Sequence, residues 1–95
     1  MATAPHQLST YDKTKVPNSK SFKVGIVVSE WNTAITEGLY KGALQTLTDC
    51  GVLPENITRW DVPGSFELVY GCRHMLRTQT HDVIIAIGSV IQGET

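Results

Sequence analysis

Residues 22–95 predict an open α/β sheet of parallel strands, in the order β-α-β-α-β. Three short runs have strand length and carry β-branched residues: 24–28 and 83–87, nearly continuously apolar, and 57–62, which alternates apolar and polar residues. Between them lie two stretches whose apolar residues recur at helical spacing. Each strand run is also followed at once by a polar segment, residues 29–32, 63–67 and 88–95. In open α/β sheets, ligands bind outside the carboxyl ends of the strands, where backbone amides and helix starts converge. All three segments therefore converge on one candidate small-molecule site.

Residues 1–21 carry Pro5 and Pro17, several Ser and Thr, and isolated Lys and Asp without a period. That composition predicts an extended N-terminal arm with no core of its own. From Phe22 the sequence changes. Lys23 leads into Val24, Gly25, Ile26, Val27 and Val28, a nearly continuous apolar run of the kind a strand covered on both faces requires. Asn32 or Thr33 then caps a helix reaching about Cys50, its inward stripe Ile35, Leu39, Ala43, Leu47 and Cys50 and its end marked by Gly51. Gly38 and Gly42, four apart in that helix, read as a close helix-on-sheet contact. Pro54, Glu55 and Asn56 form a turn into strand two, 57–62, where Ile57, Arg59 and Asp61 face away from their neighbours.

Pro63 and Gly64 interrupt that strand, and Ser65 caps a second helix reaching about Arg77, with Glu67 in its first turn where the macrodipole favours an acid. Phe66, Val69, Cys72, Arg73 and Leu76 mark one flank of it, and Leu68, Cys72 and Met75 another. Residues 79–82 form a polar loop, and residues 83–87 form strand three, apolar throughout. Right-handed crossovers make the three strands parallel.

With 95 residues, 41% of them hydrophobic, the chain supports one domain or part of one, burying roughly 60 to 65% of its unfolded surface. Eight basic and nine acidic residues leave a net charge of -1, so the basic footprint that nucleic acid or an anionic membrane demands is missing. No stretch approaches the roughly 18 apolar residues of a membrane span, and the first ten residues hold no apolar run. The expectation is a cytoplasmic protein. Cys50 and Cys72 lack a C-x-x-C partner and read as reduced thiols inside a core. His74, two positions from Cys72 on a helix, points to a different face, so no metal site is expected. His81 beside Asp82 reads as solvated loop.

Trp31 stands in a polar context after strand one and offers a stacking face for a flat ring, or else plugs the top of the sheet. The segment Pro63, Gly64, Ser65, Phe66, Glu67 sets helix-start amides beside a carboxylate, a pairing that meets the donor and acceptor edges of a heterocycle. It also reads as an ordinary capped helix with an N-terminal acid. Residues 88–95 resemble a phosphate loop, with Gly88 and Gly93 permitting close backbone approach and Thr95 offering a hydroxyl. No Lys stands in that loop, which separates it from a nucleotide P-loop.

The runs VGIVVSEWN (24–32), VPGSFEL (62–68) and IGSVIQGET (87–95) resemble, in order and spacing, the three N-terminal signature segments of the lumazine synthase family. The resemblance covers nearly everything from Phe22 onward. It implies a flavodoxin-like three-layer α/β/α sandwich around a parallel sheet, and a transferase of riboflavin biosynthesis. The implied reaction condenses a ribitylaminouracil with dihydroxybutanone phosphate to form 6,7-dimethyl-8-ribityllumazine, without metal or organic cofactor. It also implies homo-oligomers, pentamers or pentamer-based icosahedral shells, with active sites between neighbouring subunits.

Carried over by position, Trp31 stacks on the uracil ring, Asn32 counts with it among the substrate-binding residues, and Ser65, Phe66 and Glu67 grip the uracil edge and the ribityl chain. Ser89, Val90 and Ile91 make a further pyrimidine and ribityl contact, while Gly93, Glu94 and Thr95 begin the phosphate site. The family's catalytic His falls two residues after the position of Thr95, and its later aromatic, phosphate-binding Arg and remaining elements also lie beyond it. The expectation is therefore the N-terminal part of such an enzyme, inactive on its own. The arm is expected to lie on a neighbouring subunit. The competing function is a non-catalytic lumazine- or flavin-binding shell or scaffold protein of the same fold.

Overall fold

The structure is a computed structural model and describes residues 10–92. Strand β1 is Val24–Ser29, helix α1 Thr33–Asp49, strand β2 Ile57–Val62, helix α2 Leu68–Thr78 and strand β3 Val83–Ile87. The sheet order is β2-β1-β3 and both pairings are parallel, with Val24 opposite Ile57 on one side and Val83 on the other. One crossover leaves β1 for β2 and the next passes back across β1 to β3. If both are right-handed, their helices must lie on opposite faces.

The side chains agree with this. Val24, Ile26 and Val28 form a core with Tyr40, Ala43 and Leu47 of α1, joined by Val52, Ile57, Ile85 and Ile87. The alternate β1 residues, Gly25 and Val27, face Met75 and Gly71 of α2. The result is the three-layer α/β/α sandwich expected of a flavodoxin-like fold. Central strand β1 is buried at every position, as a strand covered on both faces must be.

Helix α1 has the expected extent but is rotated in its first half. Thr36 and not Ile35 is buried, followed inward by Tyr40, Ala43 and Leu47, while Ile35 and Leu39 stay about half exposed. The inward stripe therefore starts on a polar residue. Thr36 tolerates burial because its hydroxyl donates back to the Asn32 and Thr33 carbonyls, at 3.5 and 3.4 Å. The helix ends in a Schellman motif: Gly51, at φ +100°, donates to Thr48 O, and Val52 donates to Leu47 O while burying its side chain beside Leu47.

The glycines that make close contacts are not the pair the spacing suggests. Gly38 and Gly42 are exposed, and a Cβ at either would meet nothing within 4 Å, so they make no helix-on-sheet contact. The close contacts lie on α2. A Cβ at Gly71 would come within 2.9 Å of Val62 Cγ1 and 3.0 Å of Val27 Cγ1, and one at Gly25 within 2.2 Å of the fully buried Met75 sulfur. Gly71→Ala should therefore destabilise the protein, because overpacking costs about 1–3 kcal/mol and outweighs roughly 1 kcal/mol of helix propensity gained. Gly42→Ala should instead stabilise it by about 0.5–1 kcal/mol. Thermal melts of the two variants with equal signs would contradict this packing.

Helix α2 begins two residues later than a Ser65 cap implies, because Ser65–Glu67 forms a 3₁₀ turn before it. Of its two expected flanks, Leu68, Cys72 and Met75 face inward with Gly71, while Phe66, Val69 and Leu76 are exposed. Cys50 and Cys72 are free thiols, half-buried at the margins and not in the core. His81 is not a solvated loop residue. Its ring is half-buried and its Nδ1 is buried, with Nε2 3.4 Å from where a Gly25 Cβ would stand, while Asp82 accepts from Lys23 N–H at 2.8 Å. In residues 10–21, Asp12 caps a 3₁₀ turn, Lys13–Lys15, and the segment touches its own chain where Tyr11 meets Cys50 and Asn56 donates to Lys20 O. Among the described residues, no helix is long and apolar enough to cross a membrane.

On the α1 face of edge strand β2, Arg59 pairs with Glu37 of α1 and with Asp61, and stacks over the Tyr40 ring at 4.3 Å. The hydrogen bond from Arg59 holds Glu37 below its ordinary value of 4.5. A lowered folded-state pKa means that the carboxylate stabilises the fold above that value, and that this contribution fades as the pH falls below it. Glu37→Gln should thus flatten the acid side of a melting-temperature profile below about pH 4.5. An unaltered acid limb would show the pair to be inert.

Candidate active site

In a sheet ordered β2-β1-β3 the direction of winding reverses between β1 and β3, and the crevice outside their carboxyl ends is where doubly wound folds take ligands. The three polar segments meet at this end. Glu30 N–H continues the ladder by donating to Val62 O at 2.7 Å, and Thr33 Oγ1 donates to Glu30 O at 2.7 Å, which pins the turn carrying Trp31. Trp31 N–H in turn donates to Oγ of the fully buried Ser29 at 3.3 Å. Trp31 as a residue remains 47% exposed, which leaves part of its surface open at this end of the sheet.

Asn32 occupies the N-cap position of α1 but does not cap it with its side chain. Its backbone is left-handed, φ 62° and ψ 56°, the single positive-φ non-glycine among the described residues. Asparagine reaches that region more readily than most residues. Its amide is thereby free to donate to Ser89 Oγ, at 3.3 Å across the β1–β3 crevice. Ser65, also expected as a helix cap, instead donates its hydroxyl to the Ser89 carbonyl at 3.2 Å. Ser89 is thus held from both neighbouring segments.

This closure needs Gly88. A Cβ there would stand 2.7 Å from Leu68 Cδ1 and 2.8 Å from Ser65 Oγ. The glycine serves the approach of the loops to one another, a different use from the phosphate contact the sequence suggests. Neither it nor buried Ser29 stands out as a supporting residue in the sequence, since a lone Gly or Ser after a strand has many readings.

Around this polar centre the chain presents an apolar rim. Phe66 is 90% exposed and Val90 85%, with Ile91 also exposed. A groove of about 520 Å³, lined by Ser65, Phe66, Val69, Tyr70 and Arg73, runs from there along the outer face of α2. Glu67 is half-buried and leans over Gly64, with Oε1 3.2 Å from the place of a Cβ there, and no described residue donates to its carboxylate. Burial pushes the Cys72 thiol up, away from nucleophilic use. Gly93, Glu94 and Thr95 lie outside the described residues. A second cavity, about 450 Å³ beside Lys23, Thr58 and His81, sits at the opposite ends of the strands.

The sequence profile of 6,7-dimethyl-8-ribityllumazine synthase matches residues 21–95. The chain belongs to that family. Proteins of this name from Flavobacterium psychrophilum and Flavobacterium johnsoniae are 62% and 61% identical over 95 residues, all of this chain and 50% of each relative. One from Christiangramia forsetii is 57% identical over 96 residues, again covering the whole chain and 57% of the relative. The chain therefore spans about half the length of the curated relatives it matches. Of the three runs that carry the resemblance to the lumazine synthase family, residues 24–32, 62–68 and 87–92 are described, with the segments 29–32, 63–67 and 88–92 at the strand ends. They surround the β1–β3 crevice.

Proposed function

We propose that the protein to which these residues belong is a cytoplasmic 6,7-dimethyl-8-ribityllumazine synthase. It would condense a ribitylaminouracil with dihydroxybutanone phosphate: the amine attacks the ketone and forms an imine with loss of water, phosphate is eliminated, and ring closure with loss of a second water gives the lumazine. The observation that carries this reading is the convergence of three separate segments on Ser89 at the switch point, inside a chain that matches the family from end to end of its globular part.

The exposed Trp31 indole supplies a stacking face for the uracil, and Asn32 stands beside it. Ser65, Phe66 and Glu67 receive the uracil edge and ribityl chain, the unpaired Glu67 carboxylate accepting from N–H or O–H groups. Ser89, Val90 and Ile91 form the facing wall, and Gly93, Glu94 and Thr95 open the phosphate site. The proton-transferring His follows Thr95 in the family pattern. Few acid-base groups are needed, because holding two reactants in attack geometry supplies up to about 7–11 kcal/mol of the barrier.

The apolar outer face of α2 supports assembly into a homo-oligomer, a pentamer or pentamer-based shell, with the groove closed by a neighbouring subunit. The test is a lumazine-formation assay on these residues carried in a chain of the relatives' full length. Formation of the lumazine, dependent on both substrates, is the expected result. Tight lumazine or flavin binding without turnover would favour a non-catalytic shell protein instead.

A further inference from the structure

We infer that Asn32 is a positioning residue that acts through Ser89, fixing the direction of the Ser89 hydroxyl, and does not itself bind the pyrimidine substrate. This rests on the reading of the site given above. A serine hydroxyl has one proton and two lone pairs. In this crevice Asn32 Nδ2 donates to Ser89 Oγ, so the hydroxyl is used there as an acceptor and keeps its proton for a second partner. The main chain of the same residue is held independently, because Ser65 Oγ donates to its carbonyl. Ser89 therefore presents a donor to the crevice, matched to a carbonyl or hydroxyl oxygen of a ribityl pyrimidine, while Glu67 presents acceptors.

The backbone of Asn32 points the same way. A left-handed residue between Trp31 and α1 is what turns the amide across the crevice and leaves the N-cap without a side-chain bond. A residue kept only to start the helix would cap it, in ordinary extended geometry. Asn32 gives up that bond for the one to Ser89. The indole of Trp31 and the loop carrying Val90 and Ile91 are thereby tied to one another from opposite sides of the switch point.

The experiment is a double-mutant cycle in a chain of the relatives' full length, with Trp60 and any tryptophan outside residues 1–95 replaced by Phe, so that Trp31 is the tryptophan read out. Asn32→Gly keeps the left-handed backbone accessible and removes the amide. Ser89→Ala removes the hydroxyl. Each single variant should raise KM for the ribitylaminouracil about 3- to 10-fold, the range of one lost hydrogen bond, with KM for dihydroxybutanone phosphate unchanged. The double variant should be no worse than Ser89→Ala alone, because Asn32 works only through that hydroxyl. Multiplying effects would mean that Asn32 meets the substrate itself, and would overturn the inference. So would an Asn32→Gly protein with unchanged KM.

A second readout needs no substrate. The anisotropy of Trp31 emission should fall in both single variants and fall no further in the double. Independent or absent changes would again refute the coupling. A parent protein that neither turns over nor binds a ribityl pyrimidine would count against the proposed function, and the anisotropy cycle would still decide the role of Asn32.

Discussion

Replacing Trp31 with alanine is expected to weaken binding of a ribityl pyrimidine by about 5- to 150-fold, since stacking of a base on an aromatic side chain is worth about 1–3 kcal/mol. Two structural facts set this expectation. The indole is nearly half exposed at the switch point, so its face is available, and its turn is fixed by the Ser29, Glu30 and Thr33 hydrogen bonds, so little ordering is required on binding. Trp31→Phe should retain most of the affinity. Trp60 also emits, but it faces α2, with its ring 5.5 Å from His74, and can be replaced by Phe to isolate the signal. In that background, adding a ribityl pyrimidine to a protein of the relatives' length should quench emission. Unchanged emission, or unchanged affinity after Trp31→Ala, would remove Trp31 from the site.

The strands were legible because parallel sheets leave a plain trace in sequence. Runs 57–62 and 83–87 match β2 and β3, and β1 extends the expected 24–28 by the single residue Ser29. Helix faces were read less well. Ile35 and Leu39 satisfy the apolar spacing of α1, yet Thr36 is the residue buried, because hydrogen bonding to its own helix cancels the cost of its hydroxyl and sequence spacing carries no sign of that. Glycine use was equally hidden: whether a glycine makes room depends on what lies opposite, and Val27 and Val62 come opposite Gly71 only once the crossover is folded.

For the site, placement at the strand ends followed from topology, whereas the direction of each polar side chain did not. Asn32 and Ser65 both look like helix caps, since capping is a local bond and their common partner Ser89 is 57 and 24 residues away. Long-range partners of this kind compete with capping on nearly equal energetic terms, so local sequence cannot rank them.

A polypeptide of residues 1–95 alone is expected to show no cooperative melting and no lumazine formation. Of the described hydrophobic residues that are buried, Val24, Ile26, Val27 and Val28 belong to one strand, with Val52, Met75 and Ile87 added from elsewhere. That is a narrow core for two helices to rest on. The outer edge of β3 pairs with no described strand, and Val83 on it is 45% exposed, which offers unpaired backbone groups beside apolar side chains. Phe66 in the turn before α2 and Val69, Tyr70 and Leu76 on it form a second exposed apolar face, each more than 60% accessible. Both surfaces favour association over a folded monomer, since burying them against further chain removes apolar area from water at roughly 25 cal/mol per Å². Under the proposed function the proton-transferring His also lies outside residues 1–95, so a folded population of this piece would lack that group. Material verified by mass at 10.4 kDa can be tested by calorimetry, sedimentation and a lumazine assay. A monomer that melts cooperatively and turns over near the rate of a full-length relative would refute both parts of the expectation, whereas refolding and activity restored only when the remaining half is added as a separate polypeptide would locate the missing burial on the β3 edge and the outer face of α2.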